Sequence, residues 1–190
     1  NIQADAAGKS EVSFGYKENA LPFPVPAECA DALKLVPFTE ELNQERLCVT
    51  NLPPGVYKLT IDGQTIDSFT TAELKNGINL ATMTNTPEYC QALDVSKLDQ
   101  QRFELVQILR TLDFLDAGIN SNYGVTDDFD YAAVLAKRKT SANAWGQRLW
   151  EDYAKYKPKQ AEVRQQVAEL VAEIRKTSQP QPHQFNIKMK

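Results

Sequence analysis

The residues that could act as nucleophiles or general bases are few, and they form no recognisable catalytic motif. A serine hydrolase needs a serine nucleophile, a histidine base and donors for an oxyanion. None of the serines lies in a Gly-x-Ser-x-Gly motif, and no signature of a catalytic cysteine surrounds any of the three cysteines. The sole histidine, His183, lies in a tail rich in proline and glutamine, where we predict a solvent-exposed side chain. The sequence alone therefore predicts no catalytic residue.

Acidic residues could supply metal ligands, but their spacing matches no metal-binding loop. Asp127, Asp128 and Asp130 could present oxygens to calcium, yet the glycine and terminal glutamate of an EF-hand are missing. Acidic residues at a helix start are typical of capping and of interaction with the helix macrodipole. Neighbours such as Glu40 and Glu41 point about 100° apart on a helix, which disfavours an acid–base dyad. A glycine-rich phosphate loop is also missing, so we predict no metal and no cofactor.

The aromatic residues of the C-terminal half favour packing over ligand stacking. Trp145, Leu149, Tyr153 and Tyr156 recur at helical spacing, which is typical of a core face. Trp150 lies off that line and is expected to contact another element. A surface that stacks sugars or peptides is the alternative interpretation.

Composition and charge exclude several function classes. The chain has 190 residues, 42% of them hydrophobic, with a net charge of -4 and no basic stripe of the kind that binds nucleic acid. No run of about 18 apolar residues is present, so no membrane span is predicted. Cys29, Cys48 and Cys90 include no Cys-x-x-Cys pair. We interpret them as buried free thiols, with one internal disulfide plus a free thiol as the alternative.

The pattern up to residue 84 favours β-structure. Residues 21–26 carry a proline at every second position and are predicted to be extended. Residues 57–61 alternate apolar and polar, and Asp62-Gly63 then matches a type I′ turn, which predicts a hairpin with one buried face. Thr70 and Glu73 have the spacing of a capping box.

After residue 84 the pattern becomes helical. Predicted helices cover residues 128–139, 142–156 and 158 to about 176, and an earlier one presents an apolar stripe. The stripe consists of Leu98, Phe103, Val106, Leu109, Leu112 and Leu115. We therefore predict an α+β protein with a β-rich region at 1–84 and a helical region at 85–190. The two regions are either separate or one continuous module.

Several segments resemble the region that follows the catalytic domain in a group of bacterial SGNH/GDSL-type esterases. They are residues 20–26 (ALPFPVP), 35–43 (LVPFTEELN), 49–63 (VTNLPPGVYKLTIDG), 77–81 (GINLA), Thr86-Pro87, Gln91-Ala92 and 181–185 (QPHQF). In that family the catalytic serine, the oxyanion-hole residues and the Asp-x-x-His pair all precede the first of these segments. None has a counterpart in this sequence, and Pro180 occupies the position three before His183.

The resemblance implies that this chain is the C-terminal, non-catalytic portion of such an ester hydrolase. It would pack on an upstream catalytic domain or chain, in the periplasm or outside the cell, and whether it is itself an enzyme stays open. Asn79, Thr86 and Gln91 are predicted to lie near the substrate entrance, because polar loop groups beside a hairpin can reach a neighbouring cleft. The alternative is a stand-alone binding or assembly module for carbohydrate or protein.

Overall fold

The computed structural model describes residues 2–29, 31–123, 132–133, 136 and 144–190. Two compact units are present: one contains residues 1–96 and 175–190, and the other contains residues 97–174. Strands belong to the first unit, and helices build the second, which confirms the α+β class. Most of the predicted helix at 128–139, the acidic residues 127–130 and the side chain of Trp145 lie outside what is described.

The secondary structure follows the predicted order of strands before helices, except for a final strand. The strands are β1 (Ile2–Asp5), β2 (Glu11–Lys17), β3 (Arg46–Thr50), β4 (Val56–Ile61), β5 (Gln64–Thr70), β6 (Ile78–Asn79) and β7 (Pro182–Met189). The helices are α1 (Phe38–Glu41), α2 (Thr71–Asn76), α3 (Pro87–Tyr123), α4 (Ala144–Tyr156) and α5 (Gln160–Thr177).

A four-stranded antiparallel sheet is the centre of the first unit. Its strand order is β2-β7-β4-β5, and β4 and β5 form the predicted hairpin. Asp62 and Gly63 have positive φ values of 49° and 81°, as a type I′ turn requires. A second sheet has the order β1-β3-β6, in which β1 runs parallel to β3.

Strand β7 brings the end of the sequence into the middle of the larger sheet. It pairs with β2 on one side and β4 on the other, so residues 182–189 belong to the first unit and not to the helical region. His183, Phe185 and Ile187 alternate onto its buried face. The Phe185 ring stacks on Phe14 of β2 with centroids 5.2 Å apart.

The core of the first unit lies against the inward faces of both sheets. Its fully buried members include Leu47 and Val49 of β3, Leu59 and Ile61 of β4, and Leu74 of α2. Burying a side chain of this size contributes about 1.5–3 kcal/mol to stability. The alternating pattern of residues 57–61 thus correctly predicted which face of β4 is buried.

Two helices begin at a capping threonine, and the first of these caps was predicted from the sequence. Thr70 Oγ1 accepts a hydrogen bond from the Glu73 backbone N–H at 3.2 Å, and Glu73 Oε2 accepts one from the Thr70 N–H at 2.7 Å. This confirms the capping box. Thr86 Oγ1 accepts from the Tyr89 N–H at 3.2 Å, so Thr86 caps α3, whose first residue is Pro87.

The second unit has a core of its own. Leu109, Leu112 and Leu115 of α3 pack with Tyr153 of α4 and Val163 of α5. Tyr153 donates a hydrogen bond to Asp116 Oδ1 at 2.6 Å, and Lys157 Nζ lies 2.5 Å from Asp116 Oδ2. The predicted stripe is therefore buried over its C-terminal half, and Tyr153 is a core residue as expected.

Two local predictions were wrong. Cys29 and Cys90 are exposed free thiols, because Cys29 lies in a short surface 3₁₀ turn and Cys90 lies off the buried face of α3. Phe103 is exposed, whereas Leu109, Leu112 and Leu115 of the same stripe are buried. Within the described residues, no helix has the length and apolarity needed to cross a membrane.

Candidate functional site

His183 is buried, and its ring is held by an aspartate. The sequence predicted an exposed tail residue, but the alternation of β7 turns His183 inward and leaves it only 9% exposed. Its Nδ1 lies 2.6 Å from Asp62 Oδ2. Asp62 Oδ1 in turn accepts a hydrogen bond from the Gln184 backbone N–H at 2.8 Å. That bond, together with the one to His183, lowers the pKa of Asp62, so Asp62 is a stable carboxylate that fixes the orientation of the imidazole ring.

Three glutamates from distant parts of the sequence meet in the interior of the first unit. Glu18 directly follows β2, Glu45 directly precedes β3, and Glu88 lies in the first turn of α3. They are 5%, 9% and 0% exposed. One carboxyl oxygen of each lies within 4.8 Å of the others. We call Glu18, Glu45 and Glu88 the carboxyl cluster.

No side chain outside the carboxyl cluster, among the described residues, donates a hydrogen bond to it. All of its carboxyl oxygens are buried and accept no hydrogen bond, and no described lysine or arginine forms an ion pair with them. His183 Nε2 is likewise buried without a hydrogen-bond partner. Most buried polar groups in folded proteins have a partner, so this concentration of unpaired acceptors requires an explanation.

Burial raises the pKa of all three carboxyl groups of the cluster. Burial raises the pKa of Glu45 to about 8, and the charges of Glu88 and Glu18 add to the effect. Burial also raises the pKa of Glu18 to about 7, against the opposing influence of His183. The pKa of Glu88 is raised for the same principal reason. A protonated carboxyl group can donate to a neighbouring carboxylate, so the cluster either shares protons or holds a cation.

Polar residues of the surrounding loops fix the backbone of the carboxyl cluster. Asn79 Oδ1 accepts from the Glu45 backbone N–H at 2.9 Å, and Asn79 Nδ2 donates to the Asn43 carbonyl at 3.0 Å. The side-chain amide of Asn43 in turn holds the backbone of Phe23 in the proline-rich segment. Asn43 Oδ1 accepts from the Phe23 N–H at 2.8 Å, and Asn43 Nδ2 donates to the Phe23 carbonyl at 3.0 Å. Thr86 caps the helix that carries Glu88. The loops around the cluster are therefore well defined.

The predicted entrance residues Asn79, Thr86 and Gln91 all make structural hydrogen bonds. Asn79 supports Glu45, Thr86 caps α3, and Gln91 Nε2 donates to the carbonyls of Thr177 and Gln179 at 2.7 and 2.8 Å. Asn79 is linked to the carboxyl cluster by its hydrogen bond to the Glu45 backbone, and Thr86 by capping the helix that carries Glu88. A role for any of them at a substrate entrance stays a prediction.

The carboxyl cluster was not predicted from the sequence, because its members are far apart along the chain. His183 had a usable signal, since His183, Phe185 and Ile187 alternate as on a half-buried strand. No comparable signal marks Glu18, which follows a strand edge, or Glu45, which stands in a loop. Glu88, in the first turn after a capping residue, is explained by the helix macrodipole alone.

A pocket of about 220 Å³ borders the carboxyl cluster. Glu18 and Glu45 lie in its wall together with Tyr16, Pro22 and Leu42. The wall therefore combines polar and apolar side chains, and the pocket gives a path from the surface towards the cluster. A small ligand or ion could reach Glu18 and Glu45 by this route.

The comparisons with known proteins support the fold. No protein-family model matches the sequence, and no curated protein is significantly similar to it. Among solved structures, the chain is similar to a gut microbial diltiazem-metabolizing enzyme, with 29% sequence identity and a TM-score of 0.87. The match covers 100% of this chain and 49% of the enzyme. The chain therefore spans about half the length of the protein that it resembles.

Proposed function

We propose that this chain is the non-catalytic portion of an SGNH/GDSL-type ester hydrolase and packs on the catalytic portion beside the substrate entrance. The observation that carries the proposal is its likeness, over the full length, to about half of an enzyme that metabolises diltiazem. Diltiazem contains an acetate ester, the type of bond that an ester hydrolase cleaves. The segments that resemble SGNH/GDSL-type esterases point to the same chemistry.

The surroundings of His183 support a non-catalytic role. Its Nδ1 is engaged by Asp62, and no hydroxyl or thiol among the described residues lies within hydrogen-bond distance of Nε2. A nucleophilic serine or cysteine needs a base within this distance. The described residues thus provide no nucleophile–base pair, and a catalytic serine would come from the other portion.

An exposed apolar surface supports contact with that portion. Phe23, Leu35 and Leu42 are 59%, 86% and 75% exposed, and the Phe23 ring packs edge-on against Phe38 with centroids 5.6 Å apart. We call Phe23, Leu35, Val36 and Leu42 the apolar face. Exposed apolar residues concentrated in one region are typical of interaction sites. The catalytic portion is the occupant that we expect, because the similar enzyme carries a further half.

A fluorophosphonate probe tests the proposal in the native source. The probe labels the active serine of an ester hydrolase, and mass spectrometry then locates the label. We expect the label on a serine outside this sequence, in a polypeptide that co-purifies with it and cleaves the acetate ester of diltiazem. A label on any serine of this chain would contradict the proposal. Absence of label from the whole preparation would favour the binding or assembly module.

A pair of variants tests the role of the apolar face. Leu42→Asp places a charge in the apolar face and should abolish co-purification of the labelled polypeptide. Phe114→Asp is the control, because Phe114 is also exposed but belongs to the second unit. If both variants retain the labelled polypeptide equally, the apolar face is not the contact surface.

A further inference from the structure

We propose that Glu18, Glu45, Glu88 and His183 bind one divalent cation of the first transition row, for which Mn²⁺ and Zn²⁺ are the probes. The inference is independent of the esterase proposal. It rests on two observations, the geometry of the carboxyl cluster and the buried, unpaired imidazole nitrogen.

The carboxyl cluster is close to the size of a metal coordination sphere. Oxygen ligands lie about 2.0–2.2 Å from Zn²⁺ in a tetrahedral site, so two of them are about 3.4 Å apart. One oxygen from each of Glu18, Glu45 and Glu88 falls within 4.8 Å of the others. Ligands of one ion lie closer together than this limit, so binding would draw the three carboxyl oxygens towards one another.

His183 provides the second observation. Nδ1 faces Asp62, whose side chain is about half exposed at 44%, so Nε2 on the other side of the ring faces the interior. Nε2 is buried without a partner, and His183 is near enough to affect the pKa of both Glu18 and Glu88, although neither ring nitrogen belongs to the group of carboxyl oxygens within 4.8 Å of one another. When Nδ1–H donates to Asp62, Nε2 carries a free lone pair. A histidine held in this way by a carboxylate is the usual arrangement of a metal-binding histidine.

A cation also resolves the electrostatics of the carboxyl cluster. Three buried carboxyl groups without donors are costly to ionise, and no described lysine or arginine compensates for them. A divalent ion would neutralise two of the three charges. It would also use the lone pairs that are otherwise left without a hydrogen bond.

The donor set selects the class of metal. Three carboxylates and one imidazole suit Mn²⁺ or Zn²⁺, whereas Ca²⁺ takes six to eight oxygens and Mg²⁺ keeps most of its water. None of the ligands is a thiolate, which disfavours Cu⁺. The pocket beside Glu18 and Glu45 provides access and room for a water ligand.

Calorimetric titration of the full chain with Mn²⁺ and with Zn²⁺, after treatment with EDTA, tests the inference. We expect one site per chain and the release of about one to two protons at pH 7, because bound metal displaces the protons of Glu18 and Glu45. Titration in two buffers of different ionisation enthalpy measures this release. Loss of the free Mn²⁺ electron paramagnetic resonance signal gives the stoichiometry independently.

Glutamine variants locate the site. Glu45→Gln and His183→Gln should each weaken binding by more than about 100-fold, beyond the range of about 10- to 100-fold seen for outer-shell changes. Glu41→Gln is the control, because Glu41 is an exposed glutamate of the same unit. Wild-type chain that binds neither metal at millimolar concentration, or variants that bind as tightly as wild type, would overturn the inference and leave a proton-sharing cluster. The proton-release measurement needs no variant and stays decisive if a variant fails to fold.

Discussion

Replacement of Glu45 by glutamine should change how the stability of the metal-free chain depends on pH. The Glu45 carboxyl group is buried, and its pKa rises from an ordinary value of 4.5 to about 8 on folding. In the unfolded chain the same group loses its proton near pH 4.5. Between these two values the folded state binds more protons than the unfolded state. The free energy of unfolding must therefore fall as the pH rises through this window, and become constant above it.

The magnitude follows from the size of the pKa shift. Each unit of pKa difference corresponds to about 1.4 kcal/mol. Integrated from pH 5 to pH 9, the shift of Glu45 alone lowers the free energy of unfolding by about 4 kcal/mol. Glu18, whose pKa rises to about 7, acts in the same direction. A loss of this size is a large part of the roughly 5–15 kcal/mol that is usual for a folded domain.

Glutamine keeps the shape of the side chain and cannot ionise. Glu45→Gln should therefore remove the part of the decline that comes from Glu45. At pH 9 the variant should be more stable than wild type by about 4 kcal/mol, and at pH 5 the two should be nearly equal. The exposed Glu41→Gln variant should follow the wild-type curve at every pH.

Urea unfolding in the presence of EDTA, followed by circular dichroism at pH values from 5 to 9, measures these quantities. The transition midpoint and its slope give the free energy at each pH. A wild-type stability that does not fall between pH 5 and pH 9 would refute the assignment of a buried, protonated carboxyl cluster. A Glu45→Gln variant whose free energy of unfolding falls with pH as steeply as that of wild type would refute it as well.

Two further substitutions test the residues that position the site. Asp62→Asn removes the charge that orients His183, so it should weaken Mn²⁺ binding by about 10- to 100-fold while the chain stays folded, as calorimetry and circular dichroism would show; unchanged affinity would exclude Asp62 as a positioning residue. Thr70→Ala removes the capping box of α2 and should cost about 1 kcal/mol in urea unfolding, and equal stability would show that the cap contributes nothing.

Local features of the fold could be predicted from the sequence because their causes are local. The Asp62-Gly63 turn needs two residues that tolerate positive φ, and the capping box of Thr70 and Glu73 needs two side chains one turn apart. Alternation in residues 57–61 fixes the buried face of β4. Each of these patterns lies within a short stretch of chain, where sequence spacing translates directly into distance.

The carboxyl cluster depends instead on contacts between distant segments. Glu18 reaches it because β7 pairs with β2, and Glu45 because Asn79 holds the loop before β3. Neither contact leaves a local pattern, since an isolated glutamate beside a strand is ordinarily solvent-exposed. The burial of His183 was detectable from the alternation in β7, but the proline and glutamine residues before it favoured an exposed tail.

Asp62 shows why a residue that a local turn motif already explains can be overlooked as a functional residue. Its type I′ turn accounts fully for an aspartate at this position, so the sequence offers no reason to look for a second role. The pairing of β7 with β4 then places His183 opposite this turn, and the same side chain holds Nδ1 of the imidazole. Asparagine and glycine would form the turn equally well, but they would leave the ring without a charged partner. A turn residue whose carboxylate binds a buried histidine is therefore better evidence for a site than the turn itself, because the turn does not require the charge.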